Sequence, residues 1–119
     1  MIKLIITSDS SPQTTHRFNQ SSIIVGGEHS LDADLKLAGQ SLLDRHIQIF
    51  RQTTEGKNEY SVINLANDPF VTLNSLPFGK QPLCVNDLIQ VGDLSLRFEY
   101  EFEPQIGELT LFDENRLFG

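Results

Sequence analysis

The sequence predicts an all-β fold, a sandwich of about 10–11 short strands in two twisted sheets. Short runs rich in β-branched and aromatic residues alternate with turn residues along almost the whole chain. No window of about 11 residues before residue 105 has helical periodicity. The last run alternates strictly, with an apolar side chain at every second position from Leu94 to Phe102. Together these patterns favour strands over helices throughout.

The predicted strands follow one another closely along the chain. Nine of them can be assigned to residues, namely 2–7, 16–18, 22–25, 35–37, 46–51, 60–65, 71–74, 88–91 and 94–102. Polar turns are predicted at 8–14 and 53–58, and a loop between two prolines at 77–82. The dipeptide Gly92-Asp93 predicts a tight turn that joins the last two strands into a hairpin.

Length and charge predict one domain with an acidic end. The 119 residues suffice for a single core, so we expect one sandwich over residues 1–103 and an acidic C-terminal tail or linker over 104–119. Of the net charge of −7, most lies in residues 99–119, where six acidic residues face one arginine. The remaining lysines and arginines are scattered singly. Because polyanion binding needs clustered cations, nucleic acids and anionic membranes are poor candidate partners.

The sequence contains no motif that indicates catalysis or a metal site. His16, His29 and His46 lack metal-ligand spacing, and the chain has neither a Gly-x-Ser-x-Gly elbow nor a phosphate-binding glycine loop. Asp32 and Asp34 could hold a hard cation, but the pattern favours a solvated acidic turn. We therefore expect no enzyme, no metal and no cofactor.

The single cysteine and the hydropathy pattern bear on location. Cys84 lies in an apolar stretch and is predicted to be a small buried residue rather than a reactive thiol. The N-terminal apolar run is too short for a signal peptide, and no run approaches the roughly 18 residues of a membrane span. We expect the chain to be cytoplasmic, or the cytoplasmic part of something longer.

Five short motifs occur in a fixed order between residues 23 and 98. They are Ile-Ile-Val-Gly at 23–26, Asp-Leu-Lys-Leu at 34–37, His-Ile-Gln-Ile at 46–49, the pair Tyr-Ser-Val-Ile-Asn-Leu at 60–65 and Val-Thr-Leu-Asn at 71–74, and Asn-Asp-Leu-Ile-Gln-Val-Gly at 86–92. The chain thereby resembles the forkhead-associated (FHA) family from end to end. That family reads hydrophobic-Ile-Gly-Arg, Asp-Ile-x-Leu, Ser-Arg-x-His-Ala-x-Ile, Asp-Leu-x-Ser-x-Asn-Gly-Thr-x-Val-Asn-Gly and Gly-Asp-x-Ile-x-Ile-Gly. The resemblance implies an FHA-like β-sandwich and a non-catalytic binding module.

The positions that grip a phosphothreonine in the family are changed in this chain. The resemblance places the arginine that follows the glycine at Gly27, the serine at Leu43 and the second arginine at Asp44. Pro69 and Phe70 stand where the family has Asn-Gly. Losing two or three charge-assisted donors weakens phosphate binding by about two to five orders of magnitude. We therefore expect the domain not to depend on phosphate.

The remaining family positions predict structural roles and an altered binding surface. The resemblance implies structural roles for Gly26, His46 and Asp87, the histidine bracing a loop. The predicted binding surface joins neighbouring loops at one end of the sandwich and comprises Gly27, Leu42, Leu43, Asp44, Arg45, Asn67, Asp68, Pro69 and Phe70. Its apolar members either form a docking patch for a protein or pack against one another.

Several functions remain open at this point. The leading hypothesis is a phosphate-independent scaffold or assembly domain that binds another protein. One alternative keeps phosphothreonine-peptide binding, with Arg45 moved into the arginine position by a one-residue slip of its loop. Another follows from similar divergent domains at the cytoplasmic N-terminus of type III secretion inner-membrane ring proteins, and it expects a membrane span beyond Gly119. A purely structural, self-assembling domain is the last, so the oligomeric state is open.

Overall fold

The computed structural model describes residues 1–9, 12–39 and 42–100, and this part of the chain is built from strands joined by turns. In chain order the strands are β1 (Ile2–Thr7), β2 (Thr14–Phe18), β3 (Ser22–Gly27), β4 (Leu35–Leu37), β5 (Ile47–Thr54), β6 (Lys57–Asn64), β7 (Thr72–Leu73), β8 (Leu76–Pro77), β9 (Lys80–Leu83), β10 (Leu88–Val91) and β11 (Leu94–Tyr100). The described residues contain no helix, which confirms the all-β prediction. It follows that no helix in them is long and apolar enough to cross a membrane.

The strands form two sheets that enclose one core. One sheet has the order β2-β1-β11-β10-β7-β8 and the other β4-β3-β5-β6-β9. Neighbours pair antiparallel except β3 and β4, which run parallel. The alternation of the last strand sets its orientation, since Leu96 and Phe98 are fully buried while Arg97 between them is exposed. The predicted two-sheet sandwich is thus confirmed.

Tight turns fix the register of three hairpins. Glu55-Gly56 and Asn74-Ser75 each have positive φ at both residues, which matches the twist of a two-residue hairpin turn. Gly92 also has positive φ, and the pairing of Val91 with Leu94 confirms the predicted turn at Gly92-Asp93. The predicted turn at 53–58 is too wide, because β5 and β6 extend the ladder until Thr54 pairs with Lys57.

Two further predictions were wrong near β9. The segment 77–82 is not a loop, because β8 ends within it and β9 pairs with β6 as the edge of its sheet. An edge strand tolerates Pro82, because only one side of such a strand is hydrogen-bonded to a neighbour. Cys84 is exposed rather than buried, because the inward position is taken by Leu83, the last residue of β9. The predicted acidic tail at 104–119, and residues 101–103 of the predicted sandwich, lie outside the described residues.

Candidate functional site

Three loops meet at one end of the sandwich and bring most predicted site residues together. They follow β3, precede β5 and follow β6, and hydrogen bonds link each to the next. We call their residues 27–32, 42–46 and 65–71 the tip. It contains all nine residues of the predicted binding surface together with His46, while Gly26 lies directly beneath it.

Two glycines end β3 directly beneath backbone carbonyl groups. A Cβ atom at Gly26 would overlap the carbonyl oxygen of Asp44, and a Cβ atom at Gly27 would lie 2.8 Å from that of Leu42. The N–H of Gly27 donates to the carbonyl of Leu43 at 3.1 Å. The backbone before β5 therefore fills the space beside the position where the family resemblance expects an arginine. That space is lined by acceptors, which repel an anion.

His46 is the buried residue of the tip that uses both of its ring nitrogens. The residue is 3 % exposed. Its Nδ1 accepts the N–H of Leu43 at 3.1 Å, so the neutral ring carries its proton on Nε2, which lies 2.9 Å from Oδ2 of Asp68. Its backbone N–H donates to Val25, and its carbonyl accepts the N–H of Ala66. His46 thereby ties the loop before β5 to the loop after β6.

Asp68 is the acidic partner in this arrangement. Its Oδ1 accepts the N–H of Phe70 at 2.9 Å and its Oδ2 meets His46. The hydrogen bond from Phe70, followed by that from His46, holds the pKa of Asp68 below the ordinary value of 3.8. The carboxylate therefore stays charged at neutral pH and fixes the backbone on which Phe70 stands.

Ser30 and Asn64 also hold the tip together, and sequence analysis missed both. Ser30 is 2 % exposed, and its hydroxyl donates to the carbonyl of Asp44 while accepting two backbone N–H groups of its own turn. The Asn64 amide donates to the carbonyls of Asp68 and Phe78 and accepts the N–H of Asp68. Serine and asparagine side chains commonly cap turns in this way, so their types were the available signal.

The apolar residues of the tip differ in exposure. Leu42 is half-buried and packs against the core, whereas Leu43 is 59 % and Phe70 84 % exposed. Pro69 is also exposed. Leu31, which sequence analysis did not single out, is 93 % exposed on the adjacent loop. These side chains do not bury one another, so the packing alternative does not hold for Leu43 and Phe70.

Of the other predicted residues, three belong to the tip and Asp87 does not. Asp44 and Arg45 are exposed, and Asn67 has a φ of 52° in an exposed turn. Asp87 lies away from the tip at the start of β10, where its carboxylate accepts the N–H of Cys84 and the amide of Asn74. The hydrogen bonds of His46 keep the loop in the unslipped register, with Arg45 exposed directly before it.

Metal ligation finds no support in the described residues. No group of three or more His, Cys, Asp or Glu side chains in them is arranged around a common point. Of the two candidate aspartates, Asp34 uses Oδ2 to accept the N–H of Ile24 and Oδ1 to accept the amide of Gln20. Asp34 therefore fixes the start of β4 against β3.

Sequence comparison finds no relative. No protein-family model matches the chain. No curated protein matches it either.

Structural comparison finds FHA domains. The FHA domain of CT664 from Chlamydia trachomatis is 16 % identical with a TM-score of 0.68, covering 84 % of this chain and 98 % of that one. The FhaA FHA domain in complex with the intracellular domain of Rv3910 is 21 % identical with a TM-score of 0.64, covering 83 % and 100 %. A structure from an analysis of phosphothreonine-dependent FHA domain interactions is 20 % identical with a TM-score of 0.62, covering 87 % and 99 %.

These similarities extend over most of both chains and agree with the two-sheet topology. They confirm the resemblance in fold that the ordered motifs predicted, at identities too low to carry a ligand from one protein to another. The chain has the fold of a divergent forkhead-associated domain.

Proposed function

We propose that this domain is a non-catalytic module that binds another protein through the tip and needs no phosphate group to do so. Its fold is used for protein binding by the FhaA domain, which is complexed with the intracellular domain of Rv3910. The exposed side chains of Leu43 and Phe70 offer the apolar contact area that protein interfaces use.

The observation that carries the proposal is the backbone above Gly27. Phosphate recognition needs N–H or guanidinium donors that converge on the anion. Here Gly27 supplies no side chain, its N–H is already donated to Leu43, and the carbonyl of Leu42 faces it. Asp44 adds an exposed carboxylate to the same loop. Each of these features disfavours a dianionic ligand.

Phosphothreonine binding through Arg45 is the competing function. Arg45 is exposed and is the one arginine or lysine of the tip. It would have to reach the ligand without moving His46, whose four hydrogen bonds fix the register of the loop. We infer that a single exposed guanidinium beside Asp44 does not hold a phosphopeptide at micromolar concentration.

Titration with a phosphothreonine peptide library, followed by fluorescence polarisation, tests the proposal. We expect no saturable binding below about 1 mM, a concentration that corresponds to about 4 kcal/mol of binding free energy. The unphosphorylated library serves as the matched control. Saturable micromolar binding that requires the phosphate and is lost in Arg45→Ala would refute phosphate independence.

The proposed setting is the cytoplasm, where the domain serves as a scaffold or assembly module. The sequence resemblance to the cytoplasmic domains of type III secretion ring proteins supports this, as does the absence of the phosphate-gripping residues from both. Cell fractionation with an antibody against the domain checks the location. Recovery of the protein outside the cytoplasm and away from the cytoplasmic face of the inner membrane would contradict it.

A further inference from the structure

Three large apolar side chains of the tip are more than half exposed. Leu31, Leu43 and Phe70 are 93 %, 59 % and 84 % exposed, one on each of the three loops. Exposing leucine and phenylalanine side chains to water has an unfavourable free energy, and these side chains on adjacent loops do not contribute to the core. Their position on three converging loops is typical of a surface that a partner covers.

The loops beneath these side chains are held by consecutive hydrogen bonds. Ser30, next to Leu31, donates to Asp44, next to Leu43. Leu43 donates to His46, His46 meets Asp68, and Asp68 accepts the N–H of Phe70. Because the backbone is already ordered, binding at the tip loses little conformational entropy.

The charges of the tip are strongly one-sided. Glu28, Asp32, Asp44 and Asp68 supply four carboxylates, and Arg45 is the one arginine or lysine among these described residues. The carboxylate of Asp68 already contacts Nε2 of His46. No lysine or arginine of the described chain forms an ion pair with Glu28, Asp32 or Asp44. The loops that carry the apolar side chains therefore also carry three carboxylates that pair with no lysine or arginine among the described residues.

We propose that the occupant of the tip is an unphosphorylated protein segment in which lysine or arginine side chains flank an apolar anchor. This inference rests on the proposed function and adds the chemistry of the partner. The apolar anchor would cover Leu31, Leu43 and Phe70, while the cations meet Glu28, Asp32 and Asp44. The tip thus reverses the charge preference of a phosphate-binding surface, because phosphopeptides, nucleic acids and anionic lipids are all repelled by it.

The test starts from a display library of random unphosphorylated 16-residue peptides. The library is selected on the whole 119-residue chain and counter-selected on the double variant Leu43→Ser/Phe70→Ser. Both side chains are exposed, so the variant is expected to fold, and Phe70→Ser alone provides a second variant if it does not. We expect the enriched peptides to carry net positive charge together with leucine, isoleucine or aromatic residues.

The charge component is measured on the tightest selected peptide with two matched variants. Asp32→Asn/Asp44→Asn removes two tip carboxylates whose side chains make no hydrogen bond in the described structure, and Glu55→Gln/Glu59→Gln removes two exposed carboxylates near the β5–β6 turn. We expect the tip variant to bind about 3–10-fold more weakly and the distal variant to match the wild type. Raising NaCl from 50 to 500 mM should weaken wild-type binding by about tenfold.

The outcomes separate this inference from the function on which it rests. Selection of neutral or acidic peptides that still require Leu43 and Phe70 would overturn the charge preference and leave the docking function intact. Equal affinities for the two carboxylate variants would overturn it likewise. If no selected peptide depends on Leu43 and Phe70, docking at the tip and the partner chemistry are both refuted.

Discussion

Nε2 of His46 lies 2.9 Å from Oδ2 of Asp68, and this pair joins two loops that are 22 residues apart in sequence. On the far side of the ring, Nδ1 accepts the N–H of Leu43. The buried imidazole of His46 therefore fixes the position of both the loop that carries Leu43 and the loop that carries Phe70. The surface that we propose for docking depends on this pair although neither residue supplies its apolar contacts.

The pKa of Asp68 predicts how this pair responds to acid. Hydrogen bonds from Phe70 and His46 lower that pKa below 3.8, so the folded state binds the proton less readily than the unfolded state. The resulting stabilisation is complete above the unfolded pKa and is lost as the pH falls through the folded pKa. Since Asp68 is partly exposed, we expect Asp68→Asn to lower the free energy of unfolding by about 1 kcal/mol at pH 7.

Urea denaturation between pH 7 and pH 2.5 measures this effect. The difference between wild type and Asp68→Asn should shrink as the pH falls below 3.8. Asp32→Asn removes an exposed carboxylate that makes no side-chain hydrogen bond in the described structure, and it reports the background from the other carboxylates. A difference that stays constant across this range would contradict the assignment of the stabilising charge to Asp68.

The backbone above β3 predicts that Gly26 tolerates no side chain. Its Cβ would overlap the carbonyl oxygen of Asp44, which belongs to the backbone and cannot rotate away. We expect Gly26→Ala to destabilise the domain by about 3 kcal/mol, the upper range for overpacking. Gly79→Ala is the matched control, because a Cβ there meets nothing within 4 Å, and its change should stay within about 0.5 kcal/mol. Thermal unfolding of both variants tests this, and equal stabilities would show that the loop yields easily.

Removal of the Ser30 hydroxyl is predicted to destabilise the domain. The hydroxyl is buried, donates to Asp44 and accepts the N–H groups of Asp32 and Ala33. Ser30→Ala removes all three of these part-buried hydrogen bonds, at an expected cost of about 2–3 kcal/mol in urea denaturation. Ser21→Ala removes an exposed hydroxyl for which the structure gives no hydrogen bond and should cost less than about 0.5 kcal/mol. A Ser30 variant as stable as the Ser21 variant would mean that water replaces the hydroxyl.

Much of the fold was predictable from alternation and glycine placement, whereas the details of the tip were not. The pattern from Leu94 onward gave the face of β11 correctly, because a buried strand requires apolar residues at every second position. β9 was missed because its proline reads as a strand breaker unless the strand is known to be an edge. Likewise, the exposure of Leu31 follows from the path that Ser30 imposes on its loop, and sequence spacing carries no information on that path.

The turn Asn74-Ser75 predicts a change that stabilises the domain. Ser75 has a φ of 74°, a conformation that costs a residue with a Cβ about 1 kcal/mol and glycine almost nothing. We therefore expect Ser75→Gly to raise the free energy of unfolding by about 0.5–1 kcal/mol. Ser95→Gly is the same chemical change within β11, where the added backbone freedom should instead destabilise by about 1 kcal/mol. Urea denaturation of the two variants should therefore give opposite signs. If Ser75→Gly also destabilises, the hairpin does not hold Ser75 in the left-handed region, and the register of Leu73 with Leu76 would need revision.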